Sequence, residues 1–242
     1  MKSEKLSVVI PVYNEAKKVG KTVARLDRFF SKKTYPLEYV FVEDGSSDDT
    51  LNVLRGLKEG RDNFVLLTNK KNMGKGYSIR RGMLASTGAR ILFMDADMST
   101  PLRVFQEFEK YLDGYDIVMG SRWIRESNIR IPQPWFRRAA GKVFYMIIRA
   151  FFLKGITDTN CGFKCYQKAV ARDIFSKQLL KGWGFDVELL FIAQKRGYHI
   201  REVPVIWAHG RDSRVDLIKV PFLTLLELLR IRINDWNGRY EK

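Results

Sequence analysis

Leu6-Ser7-Val8-Val9-Ile10-Pro11-Val12-Tyr13-Asn14-Glu15 is the stretch on which the fold turns. It is a β-rich run that ends on an aromatic ring, an amide and a carboxylate. Asn14 suits a helix N-cap just past a strand end. Beyond it Val19, Val23, Leu26 and Phe30 recur at steps of four, three and four, one apolar stripe of a helix. The same strand-to-helix passage repeats along the first half. Residues 39–42, 64–67, 90–94 and 116–119 read as strands, Leu51, Leu54 and Leu57 as a second helical stripe, and Ser47 or Asp48 as its cap. Strands alternating with helices predict an α/β domain, a Rossmann-like and mainly parallel sheet flanked by helices. That places Pro11–Glu15 and the Glu43-Asp44-Gly45-Ser46 turn at carboxyl ends of strands, where open α/β sheets bind ligands.

The composition sets bounds. The 242 residues hold 43 Lys+Arg against 27 Asp+Glu, a net charge of +16, and are 45% apolar and 13% aromatic. A disordered tail is excluded, and the length allows a full core. Two cysteines, Cys161 and Cys165, are too few for a disulfide scaffold and read as free thiols in a reducing compartment. Residues 1–5 enter the first strand with no signal-peptide pattern, so the chain is expected to start in the cytoplasm. No uninterrupted apolar run reaches a membrane-spanning length of about 18 residues. An excess of 16 positive charges calls for a polyanion: nucleic acid, an anionic membrane surface or phosphorylated substrates.

The second half differs. No acidic residue occurs from 127 to 157, while Arg130, Arg137, Arg138, Lys142, Arg149 and Lys154 interleave with Trp135, Phe136, Phe144, Tyr145, Phe151 and Phe152. A basic helix of this content suits a membrane interface, with the cations at lipid phosphates; a helix packed on the sheet with a solvated basic rim accounts for it equally. Residues 217–233 add a second cationic amphipathic stretch, which shifts the balance toward the membrane. The division expected is a catalytic domain over 1–216, including an interfacial acceptor helix at about 135–153, and an amphipathic helix and tail over 217–242.

Phe93-Met94-Asp95-Ala96-Asp97 closes a strongly apolar run. Two carboxylates one residue apart at a strand end can hold a hard divalent cation that bridges a diphosphate, although acidic residues also end strands as turn formers. Asp44 can accept from a base N–H or close an Asx-turn, and Tyr13 and Glu15 suit a base and a ribose. Asn72-Met73-Gly74-Lys75-Gly76 opens a helix that leads to Arg80 and Arg81, with glycines that permit close backbone approach. The spacings of a P-loop and of a dinucleotide fold are absent. His199, read as a strand residue, and His209, in a loop, lack metal-ligand spacing with the cysteines, which are expected to pack.

Residues 7–15, 42–50, 72–82, 94–101 and Gly120-Ser121-Arg122, in this order and spacing, resemble family 2 glycosyltransferases of the GT-A fold. Thr157-Asp158-Thr159-Asn160-Cys161-Gly162-Phe163-Lys164 and Gly182-Trp183-Gly184-Phe185-Asp186-Val187-Glu188 resemble the dolichyl-phosphate glucose and mannose synthase branch, closest to the glucosyl type. The resemblance spans about residues 6–215. It implies that Pro11, Tyr13, Glu15, Asp44, Lys75, Arg80, Asp95 and Ala96 hold a nucleotide sugar. Asp95, Asp97 and Ser99 would hold Mg²⁺ or Mn²⁺, with Ser99 standing where the mannosyl branch has Gln. Asp97, Arg122 and Asp158 are the catalytic candidates, Asp158 to orient the sugar or acceptor or, equally, in a capping or structural role. Arg137, Arg138 and Arg214 would grip the acceptor phosphate, with Gly141 in place of a Ser and Gly210-Arg211-Asp212-Ser213-Arg214 in place of G-x-S-K. Asp186 and Glu188 would meet sugar hydroxyls or pair with Lys and Arg, Glu188 leaning to a structural role.

The function implied is inverting transfer of a hexose, glucose from UDP-glucose, onto a dolichyl or polyprenyl phosphate, by a peripheral protein on the cytoplasmic membrane face. A GDP-mannose donor and a polysaccharide acceptor are the enzymatic alternatives. Nucleic-acid binding would use the charge but leaves Asp44, Asp95 and Asp97 where a polyanion would lie, so no nucleic-acid partner is expected.

Overall fold

Along each central strand, successive side chains enter different cores. The computed structural model describes residues 4–131, 146, 148–149, 151–208 and 219–241. In β1 (Leu6–Val12), Val9 joins one buried cluster and Val8 and Ile10 the other. In β2 (Leu37–Glu43), Val40 and Val42 face the first, Tyr39 and Phe41 the second. In β4 (Arg90–Met94), Ile91 and Phe93 oppose Leu92 and Met94. This is the period-two pattern of a sheet covered on both faces.

β3 (Phe64–Thr68), β5 (Ile117–Ser121), β7 (Phe163–Gln167) and β8 (Ile200–Pro204) complete a seven-stranded sheet of order β3-β2-β1-β4-β7-β5-β8. β7 runs antiparallel to β4 and β5, and the remaining pairs are parallel. β6 (Asn128–Ile131) and β9 (Ile206–Ala208) form a separate parallel pair.

α1 (Ala16–Phe30) buries Val19, Val23, Leu26 and Phe30, the stripe expected from the sequence. With Leu54 of α2 (Thr50–Lys58) and Phe105 and Phe108 of α4 (Val104–Glu109) it covers one face. α3 (Lys75–Ala85), α5 (Lys168–Lys177), α6 (Phe185–Lys195) and α7 (Lys219–Trp236) cover the other. α3 lies so close that a Cβ on Gly82 would sit 2.5 Å from Val9 and 2.8 Å from Val42. Burying side chains such as Val9, Ile79 and Phe93 stabilises the sandwich by about 1.5–3 kcal/mol each.

Strand order reverses between β1 and β4: β2 and β3 extend one way from β1, and α3 carries the chain back to β4 on the other side. Ligands bind outside the carboxyl ends of strands at such a switch point. Because β7 is antiparallel, its incoming loop, residues 157–162, reaches this same edge.

The segment before β7 packs inward in part. Ile148 and Leu153 are buried with α6, whereas Met146 and Phe151 are exposed. Among the described residues no helix is long and apolar enough to cross a membrane.

Candidate active site at the switch point

The loops after β1 and β2 brace each other. Asn14, in the left-handed region at φ 54°, a conformation that asparagine tolerates, accepts from the Ser47 N–H at 2.8 Å, and Ser46 Oγ accepts from the Asn14 N–H at 3.0 Å. Thr50 Oγ1 accepts from the Glu15 N–H. Asn14 therefore does not cap its own helix, whereas Asp48 serves two: one oxygen accepts from the Thr50 N–H at the start of α2, at 3.1 Å, and the other from the Ala16 N–H at the start of α1, across the loops. Tyr13 is 42% exposed beyond the end of β1.

Asp44 is buried, and its carboxylate is spent on the chain that enters α3. It accepts from Asn69 Nδ2 at 2.7 Å, the Met73 N–H at 2.9 Å and the Gly74 N–H at 3.0 Å. Of the two roles open to it, shaping the turn is the one these bonds display. Gly45, at φ +67°, could bear no side chain here, since a Cβ would lie 2.3 Å from the Lys71 backbone.

The turn after β4 is tight. The Met98 N–H donates to Asp95 O at 3.2 Å, with Met98 at φ 53°, and Thr22 of α1 donates to Ala96 O at 2.9 Å. A left-handed backbone at a non-glycine residue costs of order 1 kcal/mol and is retained where the surroundings impose it. The turn sets both carboxylates outward. Asp97 is exposed, and Ser99 donates to its two oxygens from N–H at 2.9 Å and Oγ at 2.7 Å. Asp95 meets Lys75 Nζ at 2.7 Å. Burial opposes the charge on Lys75, but Asp95, Asp186 and Asp97 outweigh it and raise the pKa.

Asp95, Asp97 and the Ser99 hydroxyl, the expected cation ligands, are oxygen donors on one turn, with Asp95 paired to Lys75 and Ser99 bonded to Asp97. Such a set fits a hard cation that keeps one or two carboxylates and completes its shell with phosphate oxygens and water. Among the described residues no group of three or more His, Cys, Asp or Glu is gathered that could hold a metal ion.

Arg122, just past β5, meets Asp158 in a bidentate pair, Nε at 2.7 Å and Nη2 at 2.8 Å, and its own N–H donates to the same carboxylate at 2.9 Å. Asp158 is 2% exposed. Burial raises its pKa, yet Arg122 outweighs this and holds it below the usual carboxylate range, while Arg122 is raised in turn. These bonds turn Asp158 to Arg122 as its positioning residue, the structural role that the sequence leaves open beside orienting the sugar or acceptor. Glu202 of β8 fixes this loop from below, accepting from the Thr157 and Asp158 N–H groups at 2.9 Å.

Arg80 points away from the switch point and donates to Phe175 O and Ser176 O at the end of α5. Asp186 pairs with the buried Lys164, one of the two roles open to it from the sequence. Glu188 accepts from the Leu179 and Leu180 N–H groups and from Tyr240 Oη, a structural role. His199 lies in the loop just before β8, not in the strand. Cys161 and Cys165 are buried free thiols, each pushed up to about 12 by burial first of all. Arg137, Arg138, Gly141, His209 and Arg214, with most of 135–153, lie outside the described residues.

Three residues to which the sequence reading assigned no role shape the edge. Glu202 and Lys164 are ionic residues inside strands, a detectable irregularity. Gly162 carries no such signal, yet its O accepts from the Asp95 N–H and a Cβ there would lie 1.9 Å from Asp95 Oδ2.

The model of glycosyl transferase family 2 matches residues 7–175, which hold the β1, β2 and β4 turns, Arg122 and Asp158. The chain belongs to glycosyl transferase family 2. This glycosyltransferase is 37% identical over 220 residues, 86% of its length and 65% of the relative's, to a protein of Trichomonas vaginalis named dolichyl-phosphate beta-glucosyltransferase ALG5C. It thus spans slightly less than two thirds of that relative. It is 32% identical to the dolichyl-phosphate beta-glucosyltransferase of Dictyostelium discoideum, covering 94% of this chain and 73% of the relative. The human protein of that name is 33% identical, over 98% of this chain and 78% of its own length.

Among solved structures, mannosyl-3-phosphoglycerate synthase from Rubrobacter xylanophilus superposes with a TM-score of 0.70 at 17% identity, covering 98% of this chain and 75% of that one. Glucosyl-3-phosphoglycerate synthase from Mycobacterium tuberculosis, in complex with Mn²⁺, UDP-glucose and glycerol 3-phosphate, superposes at 0.67 with 15% identity, over 94% of this chain and 80% of its own. The fold of this family 2 member is therefore the GT-A-like α/β arrangement.

Proposed function

We propose that this chain transfers glucose from UDP-glucose, with inversion, to a dolichyl or other polyprenyl phosphate at the cytoplasmic face of a membrane. The carrying observation is the meeting at one sheet edge of the outward Asp95–Asp97 pair, Lys75 and the locked Arg122, in a chain whose relatives bear the dolichyl-phosphate beta-glucosyltransferase name. A bound Mg²⁺ or Mn²⁺ would neutralise the leaving diphosphate.

The protein's own residues do the rest. Asp95, Asp97 and Ser99 would offer oxygens to the cation, and Lys75, beside Asp95, would face the phosphates. Pro11, Tyr13, Glu15 and the Asp44-held turn border the nucleoside, and Ala96 lies between the two carboxylates. Arg122, aimed by Asp158, stabilises charge that grows as the sugar–diphosphate bond breaks. The acceptor is a phosphate monoester with a second pKa of about 6, mostly dianionic at neutral pH, so no general base is required. One of its oxygens bonds to the anomeric carbon as UDP departs with the bonding pair, turning an α-linked donor into a β-linked product. Arg137, Arg138 and Arg214 are assigned to the acceptor phosphate.

The division into a catalytic unit over 1–216 and a membrane-facing helix and tail over 217–242 is part of this proposal. Leu225, Leu226, Leu229, Ile233 and Trp236 form one exposed stripe on α7, and exposed Met146, Arg149 and Phe151 add apolar and cationic surface. Such a surface suits an anionic bilayer.

The test is transfer of label from UDP-glucose to polyprenyl phosphate, read as counts in the organic phase with Mg²⁺ or Mn²⁺ present. Asp97→Ala should lower the rate at least about a hundredfold, the scale of losing one transition-state charge contact. Transfer from GDP-mannose alone would replace the donor, and no transfer from either would refute the proposal.

A further inference from the structure

Trp183 has no part in the site assigned to the nucleoside and diphosphate. It keeps 44% of its surface exposed, yet the loop that carries it is held firmly on both sides. Toward α3, a Cβ on Gly74 would lie 2.6 Å from Lys181 O, and one on Gly76 3.0 Å from the Lys181 and Gly182 carbonyls. Lys181 O accepts from the Tyr77 N–H, and Gln178 Nε2 donates to both Gly76 O and Leu180 O. Toward α7, Glu227 Oε2 accepts from the Gly184 N–H at 2.7 Å, and a Cβ on Gly182 would lie 2.3 Å from Glu227 Oε1. Only glycine at 182 and 184 allows this carboxylate so near. A large ring left in water on a loop this well anchored is preorganised for a contact, with its ordering cost met in folding.

The place of that contact follows from Lys75. Its ammonium lies 5.4 Å from the centroid of the Trp183 ring and 2.7 Å from Asp95 Oδ1. One cation therefore links the ring to the carboxylate assigned to the diphosphate. A base would have Tyr13 at the end of β1 for its own stacking partner. The group that joins a diphosphate at Asp95 to an aromatic face beside it is the sugar, whose C–H face packs on indole while its hydroxyls meet charged neighbours.

We propose that Trp183 is the surface on which the donor hexose stacks, held in place by Glu227 of α7. The proposal rests on reading the site as one for a nucleotide sugar. The test compares calorimetric binding of UDP and of UDP-glucose, with Mn²⁺, to the wild-type chain, Trp183→Ala and Trp183→Phe. Trp183→Ala should bind UDP as the wild type does and UDP-glucose at least about tenfold more weakly, with Trp183→Phe recovering most of the loss. Equal weakening of both ligands would give the ring to the base and overturn the proposal. So would unchanged UDP-glucose affinity, including the case in which only the KM for polyprenyl phosphate rises and the ring serves the lipid. A wild-type chain that binds neither ligand would overturn the nucleotide-sugar reading as well, which separates the two failures.

Discussion

A methyl group at Gly162 would lie 1.9 Å from Asp95 Oδ2, so one missing carbon keeps the Asp95 carboxylate where the Asp95–Asp97 turn needs it. Gly162→Ala is expected to displace that carboxylate and lower glucosyl transfer by about a hundredfold, the cost of a shift near 1 Å at a reacting site. The strain should reduce stability by about 1–3 kcal/mol. Turnover and denaturant melts of the two proteins check this, and unimpaired transfer would show that the carboxylate is not held as described. The spacing of Asp95 and Asp97 was legible in the sequence because both end one strand. Gly162 was not, because its partner belongs to another strand and antiparallel pairing alone brings them together. Asp44 lies between these cases: its place at the end of β2 could be read, but the donors that consume it come from residues 69–74.

At the scale of elements, α7 is apolar on two sides. Leu228 and Ile231 enter the core with Tyr240, while Leu229, 56% exposed, and Trp236, 82% exposed, lie on another side with Leu225, Leu226 and Ile233. Periodicity located this helix, but a helix apolar on more than one side does not declare which stripe the sheet takes. The basic residues divide as well. Arg232 sits over the Phe152 and Phe191 rings at 5.1 and 5.2 Å, committed to internal packing, whereas Arg230 is exposed. Replacing Leu229 and Ile233 together by Glu should leave the circular dichroism unchanged and weaken cosedimentation with anionic vesicles by tenfold or more, since each loses burial of an aliphatic side chain. High salt should weaken binding of the parent chain too. Vesicle binding that survives both changes would remove α7 from the membrane-facing surface.

Across the whole molecule, the far end of the chain is tied to the middle through one acid. Glu188, in the first turn of α6, is fully buried and accepts from Tyr240 Oη at 2.8 Å. Burial, only partly offset by hydrogen bonds from Leu180, Tyr240 and Leu179, pushes its pKa up to about 7. A raised carboxyl pKa means that the folded chain holds a proton the unfolded chain releases. Stability from this group is thus whole below about pH 4 and is lost as pH rises through 7, by about 3 kcal/mol. Chemical denaturation from pH 4 to 8 should show the wild type losing that amount relative to Glu188→Gln, and a pH-independent difference would contradict it. What the sequence by itself determined is what local period and ordered motifs can encode: the alternating α/β build, the Asp95–Asp97 turn at a strand end, the glycines of the α3 entrance and the family they announce. What only the tertiary structure decided is pairing between distant segments. Asp158 is turned to Arg122, Arg80 is turned away to α5, Glu202 lies under the loop, and Glu227 reaches the turn of Trp183. A spacing states which side chains share a face of one element, whereas strand order and the direction of β7 dictate which elements meet.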